Sequence, residues 1–199
     1  MIDAGSPGGA EARKKLSDFD GAELPFYFCD LALDSPAYLI GEAARAAGLD
    51  AGLLKSWIYR NPRIILLGRY DQKAEGTGRP RRFTLRRIIS VAITVELVSL
   101  GFTASRAALI AYLFTDGELP RLSFDYLSPV SDIMLIVYSD GSSFVAAARS
   151  NLSVAEVFAF SVEDDRVPAA SFLAISYGVI WRRVTRRLVI EGRRELPIG

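Results

Sequence analysis

The chain has 199 residues, of which 50% are hydrophobic and 24% charged, so it is long and apolar enough to bury a core in one or two domains. It has one cysteine, Cys29, and no histidine, which excludes a disulfide framework, a thiolate metal cluster and any catalytic or zinc site that requires imidazole. We therefore expect no cofactor, no metal and no enzymatic activity. The cysteine usage is typical of a protein in a reducing cytoplasm.

Residues 1–37 form an acidic segment with three basic and seven acidic side chains. Glycine, serine and proline are frequent at its start, which is typical of a partly disordered tail. Its basic residues are followed by acids rather than by an uninterrupted apolar core, so we do not expect a signal peptide.

Residues 38–60 have the pattern of two short helices joined by a tight turn. Small apolar residues recur at helical spacing in the first helix, Gly48 is predicted to end it, and Asp50 is predicted to cap the second. The apolar residues of the second helix that we expect to be buried are Leu53, Leu54, Trp57 and Ile58. Those that we expect to face outward are Lys55, Ser56, Tyr59 and Arg60. This is the helix-turn-helix pattern, in which the second helix enters the major groove of DNA.

The next segment predicts a two-stranded wing. An apolar run from Ile64 to Leu67 precedes a glycine-rich, charged turn, and three arginines follow, at Arg79, Arg81 and Arg82. Residues 38–90 carry eleven basic and four acidic side chains, a net charge of +7, although the whole chain has only +1. Such a basic face would bind phosphates and release their counterions, and the alternative is a solvated charged surface.

Two further helices are expected after the wing. The first runs from about Leu85 to Leu100, and the second starts after Gly101 with Thr103 as its N-cap. The apolar run of residues 88–114 has a composition that a membrane span would have, but Glu96, Gly101 and Arg106 divide it into pieces that are too short to cross a bilayer. We therefore expect no membrane partner.

Residues 38–115 resemble the winged helix-turn-helix domain of the MerR family of transcriptional regulators. The matching words are YLIGEAARAAGL, LLKSW, RPRRF and LVSLGFTASRAALIAYL, in the same order and at similar spacing. In that family the outward residues of the second helix and the wing arginines contact DNA. The resemblance therefore implies DNA contacts here by Lys55, Ser56, Arg60, Arg81 and Arg82. The chain departs from the family where the long dimerisation helix should follow, because the sequence breaks at Thr115, Asp116 and Gly117.

The remainder predicts a small α+β domain of ββαβα order. A hairpin is expected between strands at 133–138 and 143–148, with Asp140-Gly141 at its turn. A short helix from Ser153 to about Phe160, a strand at 170–176 and a helix at about 177–189 follow. Four arginines of the last helix are expected on its outer surface: Arg182, Arg183, Arg186 and Arg187. The domain is interpreted as a dimerisation or effector module.

The sequence thus predicts an α+β protein with an N-terminal segment at 1–37, a winged helix-turn-helix at 38–117 and an α+β domain at 118–199. We expect a cytoplasmic, sequence-specific transcriptional regulator that binds double-stranded DNA as a homodimer. The residues expected to contact bases are Lys55, Ser56, Tyr59 and Arg60, and those expected to contact phosphates are Arg79, Arg81 and Arg82. Three alternatives stay open: a phage-type or recombination accessory DNA-binding protein, a protein-protein adaptor that does not bind DNA, and a small enzyme in the C-terminal domain. The operator sequence, the direction of regulation and any effector do not follow from the sequence.

Overall fold

The computed structural model describes residues 33–68, 71–74, 80–116, 133–138, 143–147 and 172–194. They form a mixture of helices and strands, as the α+β prediction requires. The elements are α1 (Ile40–Ala47), α2 (Ala51–Tyr59), α3 (Leu85–Ser99), α4 (Ala104–Asp116), β1 (Ile133–Tyr138), β2 (Ser143–Ala147), β3 (Phe172–Ser176) and α5 (Tyr177–Arg194). The chain divides into two compact units, one from residues 1–119 and 180–199 and the other from residues 120–179.

The turn between α1 and α2 has the predicted signals at both sides. Gly48 has a φ of 88°, a left-handed conformation that glycine adopts without steric cost, and its N–H donates to the carbonyl of Ala44 at 2.9 Å. The carboxylate of Asp50 accepts from the N–H groups of Gly52 and Leu53 at 2.7 and 3.1 Å. Both the end of α1 and the cap of α2 are therefore confirmed.

Helix α3 lies at the centre of the first unit and is buried over most of its length, with α1 and α4 packed against it. The hydroxyl of Thr84 caps its start by accepting from the N–H of Arg87 at 3.1 Å. A break at residues 100–103 separates α3 from α4, and the Thr103 hydroxyl accepts from the N–H of Arg106. The predicted helix pair is therefore confirmed, and no helix in the described part of the chain has the length and apolarity needed to span a membrane.

The base of the predicted wing consists of two isolated antiparallel bridges. Gln72 and Arg82 exchange backbone hydrogen bonds at 3.0 and 3.1 Å, and Tyr38 and Phe83 do the same at 3.1 and 2.8 Å. The glycine-rich turn, residues 75–79, lies outside the described residues, and Arg79 lies there with it.

The expected strand at Ile64 to Leu67 is wrong. The N–H groups of Ile64 and Ile65 both donate to the carbonyl of Trp57, at 2.9 and 3.1 Å, and both isoleucine side chains are buried. Ile64 and Ile65 therefore close the end of α2 and pack in the core, whereas Leu66 is exposed. Backbone donors that are already bonded to α2 are not available to pair with a second strand.

The second unit contains an antiparallel sheet of strand order β2-β1-β3. Ile133 pairs with Ala147 across the hairpin, and Met134 pairs with Ser176 of β3. Consecutive residues 135–138 of the central strand are all buried, so both faces of β1 are covered. The predicted strand positions are confirmed, whereas the Asp140-Gly141 turn and the helix expected at 153–160 lie outside the described residues.

Helix α5 follows β3 without a break, and from Ile180 onward it belongs to the first unit. Its apolar residues Ile180, Val184 and Leu188 are buried, as their spacing of four predicts. The four arginines do not behave alike, because only Arg182 and Arg186 are exposed. The expectation that all four are displayed is therefore wrong.

The two remaining arginines of α5 contact the helices of the first unit. Arg183 forms an ion pair with Glu96 of α3 at 2.6 Å. Arg187 donates from Nη1 to the carbonyl of Ala46 at 3.2 Å, and a methyl group added at Gly48 would lie 2.6 Å from the same nitrogen. A cation from α5 thus occupies the C-terminal end of α1, where the helix dipole favours positive charge.

Candidate nucleic-acid interface

The outward face of α2 carries the predicted polar and basic residues. Lys55, Ser56, Tyr59 and Arg60 are all exposed. The opposite face buries Leu54, Trp57 and Ile58, whose spacing of three and four places them in one stripe. These side chains anchor α2 to the unit and leave the basic face accessible.

Leu53 was expected in the core, and this expectation is wrong, since its side chain is 46% exposed. Three apolar residues at positions 54, 57 and 58 already complete the buried stripe of this short helix. Position 53 is rotated by about 100° from position 54, which carries it out of the stripe. An apolar side chain therefore lies on a surface that is otherwise polar and basic.

The exposed face of α2 has a defined order of side chains. At about 100° per residue, Gly52 and Ser56 lie near its centre. Leu53 and Arg60, seven residues apart, share one edge, and Lys55 lies at the opposite edge. Tyr59 also lies near the centre, toward the C-terminal end of the helix. The centre is therefore low only in the first half of the helix, where glycine has no side chain and serine has a short one.

Arg81 joins the base of the wing to this face. Its guanidinium carbon lies 5.0 Å from the ring centroid of Tyr59, within the range of a cation-π interaction. Its Nε and Nη1 atoms are buried and have no hydrogen-bond partner in the described structure. The stacking holds Arg81 beside α2, but it leaves two strong donors of the guanidinium without an acceptor.

Arg82 has a different environment from its neighbour. Its backbone pairs with Gln72, and its Nη1 donates to the carbonyl of Ala37 at 3.0 Å. Arg82 therefore fastens the wing base to the segment that precedes α1. Of the three arginines predicted to contact phosphate, Arg81 and Arg82 thus lie at the wing base with different partners, and Arg79 lies outside the described residues.

The base of the wing is tied to α3 and α4 by a buried ionic network. Arg87 is 2% exposed, and its guanidinium bonds to Asp71 at 2.9 Å and to Asp116 at 2.6 Å. Asp71 also accepts from the N–H groups of Gly68 and Thr84, at 2.8 and 3.0 Å. Each carboxylate is therefore paired and hydrogen-bonded, which is the condition under which buried charges are tolerated.

The neighbouring residue, Arg86, is also paired inside the unit. Arg86 forms a bidentate pair with Asp34 at 2.6 and 2.9 Å, and it donates to the carbonyl of Thr115 at 2.6 Å. Arg86 and Arg87 therefore contribute no free positive charge to a DNA-binding surface. The sequence count of +7 overstates that surface, because it includes both arginines and omits Asp34 and Asp116.

The cations that remain near α2 are unpaired with acids. Lys55, Arg60 and Arg63 are exposed, and none of them forms an ion pair within the described ranges. Sequence analysis missed Arg63, which lies four residues beyond the end of α2, because it lies between the helix and the predicted wing and belongs to neither pattern. With Arg81, these side chains form the basic surface that we call the α2 face.

No protein-family model matches this chain, and no curated protein matches it. The inference of a function therefore rests on the α2 face and its connection to the wing base.

Proposed function

We propose that this protein is a sequence-specific regulator of transcription that binds double-stranded DNA, with α1 and α2 as its helix-turn-helix and residues 71–83 as the base of its wing. The stacking of Arg81 on Tyr59 carries the proposal, because it joins the wing base and the exposed side of α2 into one surface. The resemblance of residues 38–115 to the MerR-family domain supports the same assignment.

The chemistry of the α2 face suits the major groove. The groove is about 12 Å wide and admits one helix, whose side chains reach the base edges. Lys55 and Arg60 carry donors for guanine O6 and N7, and the Ser56 hydroxyl can donate or accept. Tyr59 is exposed on the same side and supports Arg81. The low centre of the face at Gly52 and Ser56 allows the helix backbone to approach the bases closely.

Arg81 is the residue best suited to bind a phosphate. A phosphate oxygen would supply the acceptor that its buried donors lack in the free protein, provided that the guanidinium turns on the Tyr59 ring. Such a contact carries no sequence information, but it fixes the position of α2 relative to the duplex. In this proposal base recognition belongs to α2 and positioning belongs to the wing.

A homodimer on a repeated half-site is part of the proposal. One nine-residue helix contacts few base pairs, and helix-turn-helix proteins commonly obtain sufficient affinity from two copies related by a two-fold axis. The bound sequence would then contain two inverted half-sites about 10 base pairs apart, centre to centre.

The test is genomic binding by the tagged full-length chain. Its DNA fragments are sequenced and compared with those of a Lys55→Ala/Arg60→Ala variant. The matched control is Arg182→Ala/Arg186→Ala, which removes two exposed positive charges from α5 instead of α2. We expect discrete peaks over a two-fold motif for the wild type and the control, and their loss in the α2 variant. Diffuse enrichment in all three proteins would contradict the proposal, and salt-insensitive binding to a protein would favour the adaptor alternative.

A further inference from the structure

The exposed leucine of α2 lies outside the buried stripe of the helix. Leu53 lies in the first turn of the helix, on the edge that it shares with Arg60, and its neighbour Leu54 supplies the buried contact. An isolated exposed leucine is ordinary on a protein surface. This one lies at the edge of a proposed DNA-binding face, on the same edge as Arg60, where a polar residue would be better solvated.

The floor of the major groove offers one apolar group to such a side chain. The C5 methyl of thymine projects there, and 5-methylcytosine places a methyl at the same position of its own ring. Apart from the smaller C–H edges of cytosine and the purines, the other groups that the bases present in this groove are hydrogen-bond donors or acceptors, which a leucine would cover without replacing their bonds to water. An apolar residue on the α2 face therefore discriminates in favour of a methylated pyrimidine.

We propose that Leu53 is a specificity-determining residue that contacts the 5-methyl group of a pyrimidine in the bound DNA. This inference rests on the proposed function and adds the chemical feature that the first turn of α2 recognises. Gly52 beside it has no side chain to hold the helix away from the groove floor. Lys55 and Ser56, one turn or less away, supply the polar contacts to adjacent base edges.

The expected effect follows from the size of the methyl group. Burial of one such group changes an equilibrium constant about four-fold. Replacement of the contacted thymine by deoxyuridine, which lacks only the methyl, should therefore weaken binding about four-fold. A thymine elsewhere in the site should tolerate the same replacement.

The experiment uses the full chain and a duplex of roughly 20 base pairs that carries the sequence selected from a random pool. Each thymine is replaced in turn by deoxyuridine, and affinity is measured by fluorescence anisotropy. We expect one sensitive thymine in each half-site for the wild type and none for Leu53→Ala. The matched control is Leu109→Ala, because Leu109 is 54% exposed on α4, and it should keep the wild-type sensitivity. Both substituted residues are exposed, so both variants should fold normally.

The two sources of the methyl group give different results. If the contacted base is a thymine, deoxyuridine weakens binding at one position of each half-site. If it is 5-methylcytosine, selection from an unmethylated pool gives cytosine there, and its methylation strengthens wild-type binding about four-fold but leaves Leu53→Ala unchanged.

Specific binding without sensitivity to any pyrimidine methyl would overturn this inference and leave the proposed function standing. Equal sensitivity in the wild type and Leu53→Ala would also overturn it. Failure of the wild type to select any duplex would overturn both the inference and the proposed function.

Discussion

At the scale of single residues, Arg81 and Arg82 are adjacent and carry the same charge, but we expect them to have different roles. Arg82 is bonded within the protein, to the carbonyl of Ala37 and to the backbone of Gln72. The guanidinium of Arg81 stacks on the ring of Tyr59, and its Nε and Nη1 are buried without an acceptor among the described residues. Buried donors without acceptors cost folding free energy, so Arg81 is poorly explained by stability and well explained by binding an anion.

Single alanine variants of the two residues should separate stability from DNA binding. Arg81→Ala should change the melting temperature by no more than about 2 °C, because the lost cation-π contact is offset by removal of the unpaired donors. It should weaken binding to all DNA sequences alike and reduce the slope of log K against log salt by roughly 1. Arg82→Ala should instead lower the melting temperature by several degrees and change the slope less, because its guanidinium is engaged with Ala37.

Thermal melts and anisotropy titrations at several salt concentrations measure both quantities on the same samples. If the two variants lose equal stability, the contrast drawn between their environments is wrong. If neither variant changes the salt slope, the wing base does not contact phosphate.

At the scale of elements, local signals predicted where the helices end. Long-range contacts decided the structure of the segments between the helices. Gly48, Asp50 and Thr103 act on backbone groups within a few residues, so their effects were predictable from the sequence alone. The run at Ile64 to Leu67 has the composition of a strand, but its backbone bonds to α2 instead. Strand propensity shows that a residue suits a partly buried surface. It does not show whether its backbone pairs with a strand or with a helix end.

For the candidate site, the sequence predicted which side of α2 is exposed but not which arginines are paired within the protein. Helical periodicity placed Lys55 and Arg60 on the outward side of α2, because a stripe of buried residues fixes the rotation of a helix. Periodicity did not show that Arg86 and Arg87 are paired inside the unit, since their partners lie up to 52 residues away in sequence. Charge counted along a sequence therefore overestimates the charge that a ligand meets.

The link between the wing base and the helices should be sensitive to a single methyl group at Gly68. A side-chain carbon there would lie 2.3 Å from Nη2 of Arg87 and 2.5 Å from the carboxylate of Asp116, which are themselves bonded at 2.6 Å. Gly68→Ala must therefore displace one member of this buried pair, and inserting an extra carbon into a well-packed site costs about 1–3 kcal/mol. We expect a loss of that order in the free energy of unfolding, measured by urea denaturation.

The matched control for this substitution is Gly41→Ala in α1. Among the described residues, a side-chain carbon at Gly41 would meet the end of the Arg45 side chain at 3.4 Å, a nearly ordinary contact distance. Alanine is favoured over glycine within a helix by about 1 kcal/mol, so this variant should be slightly more stable than the wild type. Equal unfolding free energies for the two variants would show that the pair between Arg87 and Asp116 does not constrain the wing base.

At the scale of the whole molecule, the chain leaves the first unit after residue 119 and returns to it at residue 180. The return is made by α5, whose first turn directly follows β3 of the second unit. Among the described elements, α5 alone has residues in both units. Sequence order does not reveal this, because an amphipathic helix has the same pattern whichever core it covers.

The contacts of α5 with the first unit should support the α1–α2 pair. Arg187 bonds to the last turn of α1 beside Gly48, and Arg183 pairs with Glu96 of α3. A cation at a helix C-terminus contributes about 1 kcal/mol, whereas the partly exposed pair with Glu96 adds little. Arg183→Ala/Arg187→Ala should therefore speed amide hydrogen exchange of the α1–α2 turn roughly five-fold.

The exposed pair of the same helix provides the control. Arg182→Ala/Arg186→Ala removes equal charge and no described contact, so it should leave exchange unchanged. Equal exchange in both double variants would mean that α5 does not stabilise the turn.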